Sequence, residues 1–179
     1  MPTYAVFMRA VNVGQRRVKM ERVRDLLSGN GFADVVTHIN SGNVRVTTGG
    51  RSADAVGARV GRLLSDEFGF DIPCLARTTA DLSRLAAQVD ALASPLGAEA
   101  RTYVCFLDAE PTEASTVELG GWDVEGERAL VLGSHAVIWL TKSSHEARLS
   151  NARVEKVTGR VSTLRDVKVV RTLAEKWAP

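Results

Sequence analysis

Cysteine and histidine are scarce here: 179 residues hold two of the first and three of the second. Cys74, in IPCLA, and Cys105, in YVCFL, each lie in a short apolar run, where a free thiol behaves as a small buried hydrophobe. Neither a disulfide nor a cysteine nucleophile is expected. His38, His135 and His145 have no spaced partner, so no Cys/His ligand set forms and no metal or other cofactor is expected. No stretch approaches the roughly 20 apolar residues of a membrane span. The start, MPTYAVFMRA, lacks the basic head and long apolar run of a signal peptide. A cytoplasmic protein with no membrane contact is the expectation. Walker loops, dinucleotide fingerprints and Gly-x-Ser-x-Gly elbows are also missing.

What is present is globular: 45% hydrophobic and 25% charged residues. At this length roughly 70% of the unfolded surface can be buried, enough for a core without staples. The net charge of +2 hides an asymmetry. Residues 93–141 hold 2 Lys/Arg against 8 Asp/Glu, while residues 142–179 hold 9 against 4. Such faces pair with each other or with water, or they offer a basic patch to an anionic partner.

Residues 3–9, TYAVFMR, carry apolar residues on both alternation sets, which implies a strand buried on two faces. Met20, Val23, Leu26 and Leu27 mark a helix that stops near Gly29-Asn30-Gly31. In INSGNVRV, Gly42 and Asn43 read as the centre of a two-residue II′ turn, with Ser41 opposite Val44 and Ile39 opposite Val46. A helix over 52–68 and a strand over 71–78 complete the order β-α-β-β-α-β. After a helix over 80–92 and the looser ASPLGAEAR, that order recurs: strand 102–108, helix 112–119, strands 128–132 and 136–141, helix 150–158 and a weak strand near Val161. A last helix spans 164–177. The expectation is an α+β protein of two ferredoxin-like plaits packed together, with an extra C-terminal helix. Residues 1–78 form the first plait, 79–100 the connecting helix and junction, and 101–179 the second plait with its helix.

In a plait with strand order 4-1-3-2, the loop leaving the first strand and the first hairpin share one pole. RAVNVGQRRVK therefore meets NSGN. The loop brings Arg9, Asn12 and Gly14 to a helix N-terminus, whose backbone N–H groups and dipole favour an anion. Arg16 and Arg17, in the same loop, are expected to be solvated. Asn40, Ser41, Gly42 and Asn43 form the opposite wall. The expected partner is a small ligand bearing phosphate or carboxylate. Alternatives are an enzyme acting on such a ligand, with Arg9 and Asn43 polarising an oxygen, and a structural or interaction protein in which Asn12 and Asn43 satisfy backbone groups in tight turns.

RAVNVGQRRVKMERVRDLLSGNGF followed by THINSGNVRV resembles the start of the bacterial domain-of-unknown-function family DUF1697. That pattern reads Arg-Gly-Ile-Asn-Val-Gly-Gly, a Met-x-x-Leu-Arg helix, then Gln-Ser-Gly-Asn-Val. Arg9, Asn12, Val13, Gly14, Met20, Arg24, Gly31, Phe32 and Ser41 to Val44 match it. Ala10, Gln15, His38 and Asn40 depart from its Gly, Gly, Tyr and Gln. Near the C-terminus, Thr163 and Arg165 resemble the family's Thr-Thr-Arg-Asn-Trp ending, while Leu164, Asp166 and Val167 depart from it. The resemblance implies a pair of ferredoxin-like subdomains and no assigned activity. It adds Thr163 and Arg165 to the candidate ligand residues, and Asp166 would repel a phosphate bound there.

Read locally, Thr163-x-x-Asp166 fits a capping box for the last helix, and Arg165 either pairs with an acid of the middle segment or binds. His38 precedes Ser41 by three residues in a strand, so the two do not form a nucleophile and base. Trp122, Trp139 and Trp177 read as core or interface residues. RNA-recognition plaits need aromatics on their middle strands; NVRVTT has none, which excludes that mode.

Overall fold

The computed structural model describes residues 1–50 and 52–178. Its elements run β1 (Thr3–Met8), α1 (Met20–Gly29), β2 (Ala33–His38), β3 (Asn43–Thr47), α2 (Ala53–Phe68), β4 (Cys74–Thr78) and α3 (Thr79–Asp90). They continue β5 (Arg101–Leu107), α4 (Glu113–Gly120), β6 (Glu127–Leu132), β7 (His135–Leu140), α5 (Asn151–Thr158), β8 (Ser162–Asp166) and α6 (Val167–Lys176). Two four-stranded sheets result, ordered β2-β3-β1-β4 and β6-β7-β5-β8, with all neighbours antiparallel. This is an α+β protein.

The chain divides into two compact units: Met1–Arg84 with the segment from Leu173, and Leu85–Thr172. The divisions fall inside α3 and α6. In the first unit Tyr4, Val6 and Met8 of β1 meet Val23 and Leu27 of α1 and Val60 and Leu64 of α2. Ala5 and Phe7, on the other face of β1, are equally buried, as the double alternation requires. In the second unit Cys105 and Leu107 of β5, Ile138 and Leu140 of β7, Leu119 of α4 and Val154 of α5 form the core.

Helix starts follow short polar residues: Ser52, Thr112 and Ser150 each accept a hydrogen bond from the backbone N–H three residues on. Loss of such a cap costs about 1 kcal/mol. Glu127 does comparable work by burial. Its side chain is fully enclosed and accepts from the N–H groups of Arg148 and Leu149 and from Trp122 Nε1, with Lys142 Nζ 3.3 Å away. Four donors around one carboxylate tie the segment after β7 to β6.

Two expectations need correction. The first hairpin is not closed by a two-residue turn: His38 stands opposite Asn43 and Thr37 opposite Val44, leaving a four-residue loop from Ile39 to Gly42. A tertiary contact explains it. Gly42 accepts from Met8 N–H, and a Cβ there would lie 2.7 Å from both Met8 Cβ and Val11 Cγ2. Its φ of +80° also suits glycine. The pairing moves by four residues, an even number, so Val44 and Val46 still face the core.

The capping box also fails. Thr163 lies inside β8, paired with Phe106, and α6 begins only at Val167. Asp166 Oδ1 accepts from Lys168 N–H instead. The Thr163 hydroxyl receives Arg165 Nη1 at 2.8 Å.

Candidate functional site

Asn12 ties the two loops together. Its Nδ2 donates to the carbonyls of Val18 (3.1 Å) and Asn40 (2.6 Å), and its Oδ1 accepts from Val18 N–H at 2.9 Å. The residue adopts a left-handed φ of +54°, which asparagine tolerates better than most. Asn43 is fully buried, and its Nδ2 donates to the His38 carbonyl and to Ser41 Oγ. Positions near 12 and 42 are thus neighbours, as the plait geometry predicts.

The tie forms one end of a cleft of about 680 Å³ at the start of α1. Asn12 and Asn40 line it on one side; Arg17, Lys19 and Arg24 bring three cations, and Glu21 one carboxylate. Val18 and Met20, both buried, form its apolar part. Lys19 is the N-cap of α1 and makes no side-chain cap, so the first-turn N–H groups receive no acceptor from that residue. Arg24 Nη1 donates to Thr37 Oγ1 at 2.6 Å, which fixes its stem against β2.

Of the residues expected at the site, only Asn12 and Asn40 line this cleft. Arg9 is half-buried, with its N–H on the Pro73 carbonyl. Gly14, at φ +58°, sits in a tight turn closed by Arg16 N–H on the Val13 carbonyl. Arg16 is exposed, with its guanidinium 5.4 Å from the centre of the Phe70 ring. Ser41 is exposed and accepts from Asn43, while Gly42 and Asn43 are buried. Thr163 and Arg165 belong to the other unit and are buried. Glu21 and Arg24 were not expected. Glu21 and Arg24 stand three apart on one face of α1, and that signal was in the sequence.

Burial followed by the nearby positive Lys176 lowers the pKa of His38. Burial pushes the Cys105 thiol up to about 12, so it is inert as a nucleophile. Cys74 is also free, and its Sγ donates weakly to the Ile72 carbonyl. No group of three or more metal-ligating side chains occurs among the described residues. No helix among them is long and apolar enough to cross a membrane.

A family model described as "Protein of unknown function (DUF1697)" matches residues 1–137. The Thr163 to Val167 segment lies outside that match. No curated protein matches the chain. Among solved structures, the conserved bacterial protein SP0830 from Streptococcus pneumoniae is similar, with 20% identity and a TM-score of 0.71. The likeness covers 100% of this chain and 99% of that one, and at this identity it shows a shared fold.

Proposed function

The chain belongs to the DUF1697 family, and from that premise we propose that it is a cytoplasmic binding protein for a small anionic ligand bearing phosphate or carboxylate. The ligand sits in the cleft at the start of α1. Two free cysteines agree with a reducing compartment. Each sheet has the 4-1-3-2 order of a ferredoxin-like plait, and we read the molecule as two such plaits.

The observation that carries the proposal is the lining: three cations and one carboxylate around a helix start, walled by Asn12 and Asn40. The helix dipole supplies at most about 2 kcal/mol, whereas millimolar binding needs about 4 kcal/mol. Arg17, Lys19 and Arg24 must furnish the difference. The expected affinity for a bare anion is therefore weak, and a real ligand gains the rest from the polar wall.

Heat stability across a panel of phosphorylated metabolites and carboxylates tests this. A hit should raise the unfolding temperature of the wild type. The exposed double substitution Arg17→Glu with Lys19→Glu should abolish that rise. An undiminished rise in the double variant would move the site elsewhere.

The placement of Asn12 and Asn43 favours a second reading, a structural or interaction protein. Their side chains are engaged by the chain's own backbone. An inert panel together with a large stability loss in Asn12→Ala would select it.

A further inference from the structure

Every sheet has two edge strands, whose outward N–H and C=O groups invite another strand. On three of the four edges an arginine of the same strand covers one outward carbonyl. Arg77 Nη1 donates to the Ala76 carbonyl on β4, Arg165 Nη1 to the Leu164 carbonyl on β8, and Arg128 Nη1 to the Glu127 carbonyl on β6, each at 2.8 Å. Ser162 N–H on β8 is met by Glu155 Oε1, and Glu127 N–H on β6 by the Val124 carbonyl.

On the fourth edge, β2, the strand has no arginine to do this. The bond from Met8 N–H to the Gly42 carbonyl sets the phase of the sheet, so Asn43 and Arg45 point their backbone groups at β2. Their partners His38 and Val36 therefore turn inward, and Val35 and Thr37 turn outward. Among the described residues no side chain caps the outward groups of Val35 or Thr37. A bulge between Ala33 and Val36, with Asp34 at φ +50°, limits the regular edge to Val35–His38. Val36 and Ile39 beside it are 39% and 51% exposed.

We propose that β2 pairs antiparallel with β2 of a second copy of this chain, about a twofold axis through Val36. That register places Val35 of each copy opposite Thr37 of the other, so their outward groups exchange four hydrogen bonds. Val36 meets its own counterpart, a pairing of β-branched residues that suits a sheet. Charge decides for a second copy. The strand has a negative start at Asp34 and a positive end, where Lys176 stands near enough to act on His38. Antiparallel pairing brings unlike ends together, and no like charges are opposed. The short contact makes the dimer weak.

Sedimentation equilibrium up to roughly 1 mM should show the wild type passing from monomer to dimer. Val36→Lys, at a half-exposed position that the fold tolerates, sets two ammonium groups face to face. It should weaken association about tenfold or more. Asp34→Asn should weaken it less. Val36 lies at a non-hydrogen-bonded position, where cross-strand Cα atoms approach to about 4.5 Å, within disulfide range. Val36→Cys should therefore form a covalent dimer under mild oxidation, while Val117→Cys, at a more exposed position, should not. A monomeric wild type at the highest concentration would overturn the pairing. So would a dimer undisturbed by Val36→Lys, or equal cross-linking of the two cysteine variants.

Discussion

In the first unit the loops around the β1 exit are tied by amides, Asn12 and Asn43. In the second, the segment after β7 is tied by the carboxylate of Glu127. An amide donates and accepts at once, so Asn12 can hold two carbonyls and one N–H. A carboxylate only accepts, so Glu127 gathers four donors. The first tie is neutral and indifferent to pH, and the cleft beside it holds three cations against the one carboxylate of Glu21. The second carries its own charge, met by Lys142. The cleft proposed to take an anion adjoins the neutral tie.

The comparison can be broken most severely at Gly42. Gly42→Ala forces a Cβ into Met8 and Val11 at a left-handed position, at a combined cost of about 3–4 kcal/mol. Chemical denaturation would show it as a lowered midpoint. Glu127→Ala leaves buried N–H groups without an acceptor and should cost about 3 kcal/mol. Asn12→Ala should cost about 2 kcal/mol, since part of that junction is open to water.

Acid sharpens the contrast. Burial raises the pKa of Glu127, but the N–H groups of Arg148 and Leu149, with Lys142 and Trp122, outweigh it, and the net pKa falls below the ordinary 4.5. A carboxyl with a depressed folded pKa contributes stability that is complete above its unfolded pKa and lost as pH falls through the folded value. Exchange of the Arg148 and Leu149 amides, corrected for intrinsic rates, should therefore accelerate below about pH 4.5, while Val18 N–H, held by Asn12, should not follow. Glu127→Gln should flatten the acid response. Equal acid sensitivity at both ties would contradict the distinction.

The element order was legible because alternation and the 3.6 period are local properties, and β1 showed its double burial in TYAVFM. The neighbourhood of Asn12 and Asn40 followed from topology. The hairpin register did not, because Gly42 answers to Met8 and Val11, more than thirty residues away. Thr163-x-x-Asp166 misled because a strand that runs directly into α6 presents the same spacing as a cap. Arg24 entered the sequence reading only as a match to the family pattern, although it shares a face of α1 with Glu21.

The most direct measurement is an amide NMR titration with inorganic phosphate. The account predicts saturable shifts concentrated at Met20, Glu21 and Asn40, and their loss in the Arg17→Glu, Lys19→Glu double variant. Shifts scattered over the surface, or a saturable site that survives the double substitution, would contradict it.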